Sequence, residues 1–300
     1  MKVGIDLGGS HIAIGAIDNH GRVMEKSEKR LTNVEKKEII KIIEEFIFES
    51  IQNLKNKYKI TEIGIAIPGT VNRGSIIKSV NLGLKEYPIV ERLQTRIELP
   101  IKIRNDAKCA AIAENTYGCL KKYERSIFLT LGTGIGGAVI INNKLLDTGD
   151  LPGCEFGHMV IDKNGIDCNC GKKGCFEKYA SMKAFKNNLR ASLGYDEKTH
   201  GEQLLDIIRH NNVANENYEK IENVVQEYIE NLAIGLANLI NIFEPEAIGI
   251  GGSFVYFEDV LINRLKQELQ KESALFNPRD NVEIETAILG NDAGMIGAVL

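Results

Sequence analysis

Apolar residues recur along the chain with two different periods. Residues 3–7 (VGIDL) and 11–17 (HIAIGAI) are short β-type runs on either side of Gly8, Gly9 and Ser10. Asp18-Asn19-His20-Gly21 is a turn signal, and a third run covers Arg22 to Lys26. Strand, tight turn, strand, turn, strand predicts an antiparallel meander. From Val34 to Lys57 the period lengthens. Ile39, Ile40, Ile43, Phe46, Ile47, Ile51 and Leu54 form a stripe at helical spacing, with Lys and Glu between them. Residues 61–67 return to a strand, broken at Pro68-Gly69. Another strand spans 100–104, and an Ala-rich helix runs from Asp106 to Cys119.

The pattern then restarts. Ser126 to Leu131 predicts a strand, Gly132 to Gly137 a glycine turn, Ala138 to Ile141 a strand and Lys144 to Leu146 a third, an internal repeat of the opening meander. Residues 180–242 are mostly helical. Ala247 to Ile250 is a strand that runs into Gly251-Gly252-Ser253. A helix at 257–272, a strand at 282–288 and a short helix at 292–300 follow. Sheets and helices repeated in two halves predict an α/β chain with two lobes. The expected small lobe is 1–106, with 291–300 packing back on it. The expected large lobe is 107–290.

Composition narrows the classes. Of 300 residues, 43% are hydrophobic and 26% charged, which excludes a disordered or collagen-like chain. No apolar run approaches the roughly 20 residues that span a bilayer. The first residues read directly into a strand, without a signal-peptide pattern. A cytoplasmic protein is expected, with its six cysteines unpaired. The net charge of −4 argues against a nucleic-acid partner.

Three glycine clusters carry candidate chemistry: Asp6-Leu7-Gly8-Gly9-Ser10, Leu131-Gly132-Thr133-Gly134-Ile135-Gly136-Gly137 and Gly249-Ile250-Gly251-Gly252-Ser253. Consecutive backbone N–H groups in such turns form an anion-binding concavity. They match neither a P-loop nor a dinucleotide fingerprint, because no G-x-x-x-x-G-K-[ST] occurs and strands follow the first two. Hairpin turns alone would also use glycine. Three clusters in a duplicated arrangement, each with a hydroxyl residue (Ser10, Thr133, Ser253), favour phosphate binding. Asp6 either holds Mg²⁺ against phosphates or stabilises its own turn. Asp106, between a strand and a helix, is either an N-cap or a general base.

Cys168-Asn169-Cys170-Gly171-Lys172-Lys173-Gly174-Cys175 places three thiols in eight residues, ten residues after His158. Three thiolates and one imidazole complete a tetrahedral, structural zinc shell. Glu155 and Glu177 flank this cluster. Carboxylates fixed by a metal loop suit the hydroxyls of a neutral polyol, and either Glu is equally an ordinary surface residue.

Together these residues resemble the ROK family of sugar kinases and repressors, over essentially the whole chain. Asp6 to Ser10 and Leu131 to Gly137 look like its phosphate motifs, and Asn105-Asp106-Ala107 looks like its catalytic-base segment. Ile67-Pro68-Gly69 and Val80-Asn81-Leu82-Gly83 look like its sugar-side loops. Glu155-Phe156-Gly157-His158, followed by the cysteine segment and Glu177, looks like its signature.

The resemblance implies a two-lobed hexokinase/actin/Hsp70-like fold, a duplicated ribonuclease H-like α/β architecture with a cleft between the lobes. It implies ATP-dependent phosphorylation of a hexose at C6, glucose foremost, with N-acetylmannosamine, fructose or N-acetylglucosamine as alternatives. By carry-over, Asp106 is the base. Gly69, Asn81, Asn105, Asp106, Glu155, His158 and Glu177 line the sugar site. Asp6, Gly8, Gly9, Ser10, Gly132, Thr133, Gly134, Gly252 and Ser253 hold Mg²⁺-ATP. His158, Cys168, Cys170 and Cys175 hold Zn²⁺, and a homodimer or homotetramer is expected. Ser10 stands where the family commonly has Thr, Cys154 where it has a small residue, and Leu84 where its glucokinases often have Trp. A sugar-responsive repressor is the other class. It is disfavoured because only five residues precede Asp6, too few for a DNA-binding domain.

Overall fold

The structure is a computed structural model and describes residues 1–31, 36–80, 82–146, 153–271 and 282–300. The strands, in chain order, begin with β1 (Lys2–Leu7), β2 (His11–Ile17) and β3 (Val23–Arg30). Helix α1 (Lys36–Lys55) precedes β4 (Ile63–Ile67), β5 (Thr70–Asn72), β6 (Ser75–Ser79) and β7 (Leu84–Tyr87). Helix α2 (Ile89–Gln94), β8 (Ile101–Asn105) and α3 (Asp106–Tyr117) complete the first half. The second half opens with β9 (Ser126–Leu131), β10 (Ile135–Ile141) and β11 (Lys144–Leu145). Helices α4 (Glu177–Ala180), α5 (Met182–Leu193), α6 (Gly201–Arg209) and α7 (Tyr218–Phe243) follow. The chain ends with β12 (Ala247–Gly252), α8 (Glu258–Lys271), β13 (Glu283–Thr286) and α9 (Ala293–Ala298).

Two sheets have the same plan. The first has the order β3-β2-β1-β4-β8 and the second β11-β10-β9-β12-β13. In each, an antiparallel meander is extended by parallel strands. Val3, Ile5 and Leu7 alternate along β1 and point to one face, where they pack with Ile12, Ile14, Ile63, Ile65 and Ile67. The α1 stripe of Ile39, Ile43, Ile47, Ile51 and Leu54 covers that face and is buried throughout. Burying each such side chain contributes about 1.5–3 kcal/mol, so tertiary packing rather than propensity fixes α1.

The opposite face carries Gly4 and Asp6, and here α9 lies on β1, β4 and α3. The backbones touch. A Cβ on Gly64 would overlap the Ala298 carbonyl, one on Gly4 the Met295 carbonyl, and one on Gly297 the Cys109 carbonyl. Only hydrogen fits at these three crossings.

Two differences from the sequence reading have simple causes. Ile135 to Gly137 lie in β10 rather than in a turn, because β10 continues the meander and its ladder outweighs the low strand preference of glycine. β5, β6 and β7 form a separate three-stranded sheet, from strands too short and too polar to show a period.

Among the described residues the chain forms two compact units. One comprises residues 1–124, 138–153 and 288–300, and the other residues 125–137 and 154–287. Residues 107–124 thus lie in the first unit, past the boundary expected at 106, because β8 runs directly into α3 and α9 packs on α3. No helix among the described residues is long and apolar enough to cross a membrane.

Candidate functional site

In the first unit, Asp6 sits near the end of β1 on the α9 face. Its carboxyl is pushed up to about 7, first by desolvation and then by the like charges of Asp106 and Asp292, with Lys26 opposing. Burial also raises Asp106, the first residue of α3, against a hydrogen bond that its Oδ1 accepts from the Ala107 N–H at 2.9 Å. The cap of α3 is not Asp106 but Asn105. Asn105 Oδ1 accepts from the Lys108 N–H at 3.1 Å, and its Nδ2 donates to the Gly69 carbonyl at 3.0 Å. Gly69 itself has φ of 114°, a left-handed backbone in which a Cβ would also overlap the Lys78 carbonyl. Asn105 therefore joins the helix carrying Asp106 to the loop after β4. Asn81 lies outside the described residues.

The glycine turns show a division of labour. The Gly8 N–H donates to the His11 carbonyl at 2.9 Å, and the Gly132 N–H donates to the Gly134 carbonyl at 3.0 Å. The first glycine of each turn thus closes it. Among the described residues, the N–H groups of Gly9, Ser10, Thr133 and Gly134 make no hydrogen bond. These four are the donors available to an anion. Ser253 lines a cavity of about 540 Å³ with Lys186, His200, Tyr256 and Phe257 in the second unit. Its neighbour Gly252 has φ of 73° and lies against the Leu131 carbonyl, where a Cβ would approach to 2.6 Å.

The cysteine segment folds back on His158. Ligand atoms of His158, Cys168, Cys170 and Cys175 lie within 4.8 Å of one another. Cys170 Sγ and Cys175 Sγ are 3.5 Å apart, and Cys168 Sγ is 3.8 Å from His158 Nδ1. A tetrahedron with 2.3 Å arms has edges of about 3.8 Å, so this donor set fits Zn²⁺. Burial and the neighbouring sulfurs push the Cys175 thiol up to about 12, and a divalent cation is the charge that would hold such sulfurs as thiolates. Glu177 reaches from this cluster to the second glycine turn. Its Oε1 accepts from Cys168 Sγ at 3.5 Å and lies 3.7 Å from His158 Nδ1, while its Oε2 lies over Gly134. Glu155 is exposed and precedes a single 3₁₀ turn, Phe156–His158. Cys154 before it takes φ of 61°, a left-handed conformation that disfavours any side chain.

Three residues of the first unit escaped sequence reasoning. Lys26 on β3 donates to Asp292 Oδ1 at 2.7 Å and pairs with Glu28 at 2.5 Å. It lay in a polar edge strand with no distinguishing signal, and Asp292 lay in a turn. Glu114 did carry a signal. It occupies an apolar phase of the Ala-rich helix, in step with Ala107 and Ala111, and it is fully buried. Its Oε1 accepts from the N–H groups of Ile288 (3.0 Å) and Leu289 (2.9 Å), and its Oε2 from that of Cys119 (2.9 Å). The segment leading to Asp292 and α9 hangs on that carboxylate.

Comparison with known proteins follows the same lines. The sequence pattern of the ROK family matches residues 2–300. A glucokinase from Halalkalibacterium halodurans is 31% identical, with 98% of this chain and 92% of that protein aligned. The glucokinase of Streptomyces coelicolor is 30% identical over 99% of this chain and 96% of its own. The xylose repressor of Bacillus subtilis is 29% identical over 99% of this chain and 75% of its own. Among solved structures, a ROK family glucokinase from Streptomyces griseus in complex with glucose and AMPPNP superposes with a TM-score of 0.81. It has 25% identity and covers 99% of this chain and 97% of that one. The ROK hexokinase of Thermus thermophilus gives 0.82 at 27% identity, with 99% and 95% covered.

Proposed function

Because the chain belongs to the ROK family, with the hexokinase-type α/β fold, we propose that this ATP-dependent sugar kinase phosphorylates a hexose at its C6 hydroxyl, glucose foremost. The observation that carries the reading is the placement of Asp106. It opens α3, its helix is capped by Asn105 instead, and burial raises its pKa toward the range of a working base. Asp106 takes the proton of the sugar hydroxyl as that oxygen attacks the γ-phosphorus, and the bond from the γ-phosphorus to the bridging oxygen breaks to release ADP. Asp6 is the residue that would hold Mg²⁺, which supplies charge neutralisation on the phosphates when bound. The N–H groups of Gly9, Ser10, Thr133 and Gly134 donate to phosphate oxygens, and the cavity beside Ser253 takes the adenine ring.

Gly69, Asn81, Asn105, Glu155, His158 and Glu177 are the sugar contacts in this reading, with Asn105 acting first as the holder of Asp106. Zn²⁺ on His158, Cys168, Cys170 and Cys175 fixes the loop from which Glu177 projects. The glucokinase relatives and the glucose and AMPPNP complex of the Streptomyces griseus enzyme support the substrate pair.

The test is a coupled ADP-release assay over glucose, mannose, fructose, N-acetylglucosamine and N-acetylmannosamine. Glucose with the highest kcat/KM is the expected result. Another sugar in first place overturns the glucose assignment. No ADP release with any sugar overturns the kinase reading and turns attention to sugar-responsive repression, the activity of the other relatives.

A further inference from the structure

Helix α3 carries two carboxylates in different surroundings. Asp106 opens it, and Glu114 lies two turns on, roughly 12 Å along the axis. Glu114 is fully buried and accepts three backbone N–H groups, those of Ile288 (3.0 Å), Leu289 (2.9 Å) and Cys119 (2.9 Å). Ile288 is the residue at which the chain re-enters the first unit. Its side chain is 68% exposed, so its backbone bond and not burial sets its position. Burying a carboxylate costs free energy unless donors converge on it. What three converging donors return here is a fixed geometry at the start of segment 288–300.

That segment runs straight to the site. After Leu289 the chain makes the 3₁₀ turn Gly290–Asp292 and enters α9. Asp292 accepts from Lys26 Nζ at 2.7 Å. Gly294 lies on the Asp6 carboxylate, where a Cβ would come within 2.7 Å of Oδ2. Farther along, α9 meets α3, since a Cβ on Gly297 would overlap the Cys109 carbonyl. Arg104, two residues before Asp106, donates from Nη1 to the Gly297 carbonyl at 3.2 Å. The stretch that walls Asp6 is therefore attached at two points to the β8–α3 segment that holds Asp106. One is the Gly297 crossing, and the other is Glu114. A stretch held only at the crossing is free to pivot, and the second attachment removes that freedom.

We propose that Glu114 is a positioning residue for phosphoryl transfer. Its carboxylate fixes the 290–294 turn, and with it the wall over Asp6, relative to Asp106 on the same helix. The assignment rests on the kinase reading, which gives Asp6 and Asp106 their roles. Phosphoryl transfer is sensitive to such spacing, because a shift of about 1 Å in a reacting group costs on the order of 10²-fold in rate. A cap that served stability alone would leave that spacing to the rest of the core.

Steady-state kinetics, urea unfolding and amide NMR on the full chain test it, with Glu114→Ala, Glu114→Gln and Ile47→Ala as variants. Ile47 is buried under α1 on the other face of the same sheet, so its truncation destabilises the same unit away from α9. Glu114→Ala is expected to lose kcat about tenfold or more while KM for the sugar stays within about twofold. Glu114→Gln keeps one acceptor oxygen and should recover part of the loss. Ile47→Ala should lower the urea midpoint and keep kcat. In spectra taken without substrates, Glu114→Ala should shift the amide signals of Asp6, Lys26 and Gly294 as well as those of Ile288 and Leu289. Ile47→Ala should leave the Gly294 signal in place. Wild-type kcat in Glu114→Ala, or an equal loss of kcat in Ile47→Ala, overturns the proposal, and so does a spectrum in which only Ile288 and Leu289 move. The spectra need no turnover, so the two readings fail separately. A wild type that releases no ADP with any sugar sinks the kinase reading, while the spectra still decide whether Glu114 fixes the surroundings of Asp6. Normal wild-type turnover with an indifferent Glu114 sinks the positioning role alone. Should Glu114→Ala prove unfolded by circular dichroism, the Glu114→Gln measurement decides.

Discussion

Asn105 is bonded through both ends of its carboxamide, to the Lys108 N–H at 3.1 Å and to the Gly69 carbonyl at 3.0 Å. The first bond caps α3, and the second sets where that helix begins relative to the loop after β4. The two can be separated. Asn105→Ala should lose about 1 kcal/mol of stability with the cap. It should also lose kcat on the order of tenfold to a hundredfold, because Asp106 moves. Asn105→Asp keeps an acceptor for the Lys108 N–H but has no donor for Gly69. It should melt near wild type and still lose kcat. Thermal melts and steady-state kinetics on both variants check this. An Asn105→Asp enzyme with full kcat would show the Gly69 bond to be irrelevant.

Asp106→Asn removes the proposed base at constant shape. A loss of about 10²–10⁴ in kcat is expected, with sugar binding retained. Its melting temperature should equal or exceed that of wild type, because the amide carries no charge into a site that already disfavours one. Rapid-quench kinetics beside differential scanning calorimetry would measure both, and near-normal turnover would remove Asp106 from the mechanism.

Asp6 makes stability depend on pH. Its folded carboxyl titrates at about 7 against a reference of 3.8, so between these values the folded state holds a proton that the unfolded state has released. Its contribution is intact below about pH 4, declines as pH rises and is lost above about pH 7, by an amount on the order of a few kcal/mol. Urea denaturation across pH 4–8 without divalent cations should show the decline. Asp6→Asn should flatten it, and Mg²⁺ should oppose it at pH 8. A wild-type curve with no such decline would refute the Asp6 titration.

Metal removal gives a further test. Elemental analysis should find about one zinc per chain, and Cys175→Ser should lose it. Because Glu177 follows Cys175 by two residues, at the end of the loop the zinc ligands would fix, chelation should raise KM for the sugar as well as lower the melting temperature. Protein that is metal-free as purified and fully stable would refute the site.

Glu114→Gln replaces one carboxylate oxygen by a donor that faces backbone N–H groups. A loss of about 1–3 kcal/mol is expected, measured by urea unfolding. A neutral result would mean that the Ile288 and Leu289 amides find other acceptors.

The parts of the fold that sequence exposed were those that repeat. The α1 stripe and the alternation in β1 and β2 are periodic, and their burial follows the period. Motif residues were legible because Asp6, Asp106 and the His158–Cys175 segment are chemically conspicuous at fixed spacing. What stayed hidden depends on distant partners. Lys26 is an unremarkable edge lysine until Asp292 meets it. Gly8 and Gly132 read as phosphate donors, yet their N–H groups close the turns. Gly4, Gly64 and Gly297 carry no signal of their own in the sequence, yet each is the flat spot on which another backbone rests.

That last contact bears on how the chain is made. β1 and β4 leave the ribosome well before α9, which their glycines are shaped to receive and which follows only after the whole second unit has been synthesised. The first sheet must therefore wait through synthesis of the second unit with one face covered by α1 and the other bare. Contacts of such long sequence separation also make folding slow. Chaperone dependence, and aggregation of chains truncated before α9, are the liabilities that a glycine-floored docking site brings to an otherwise ordinary sheet.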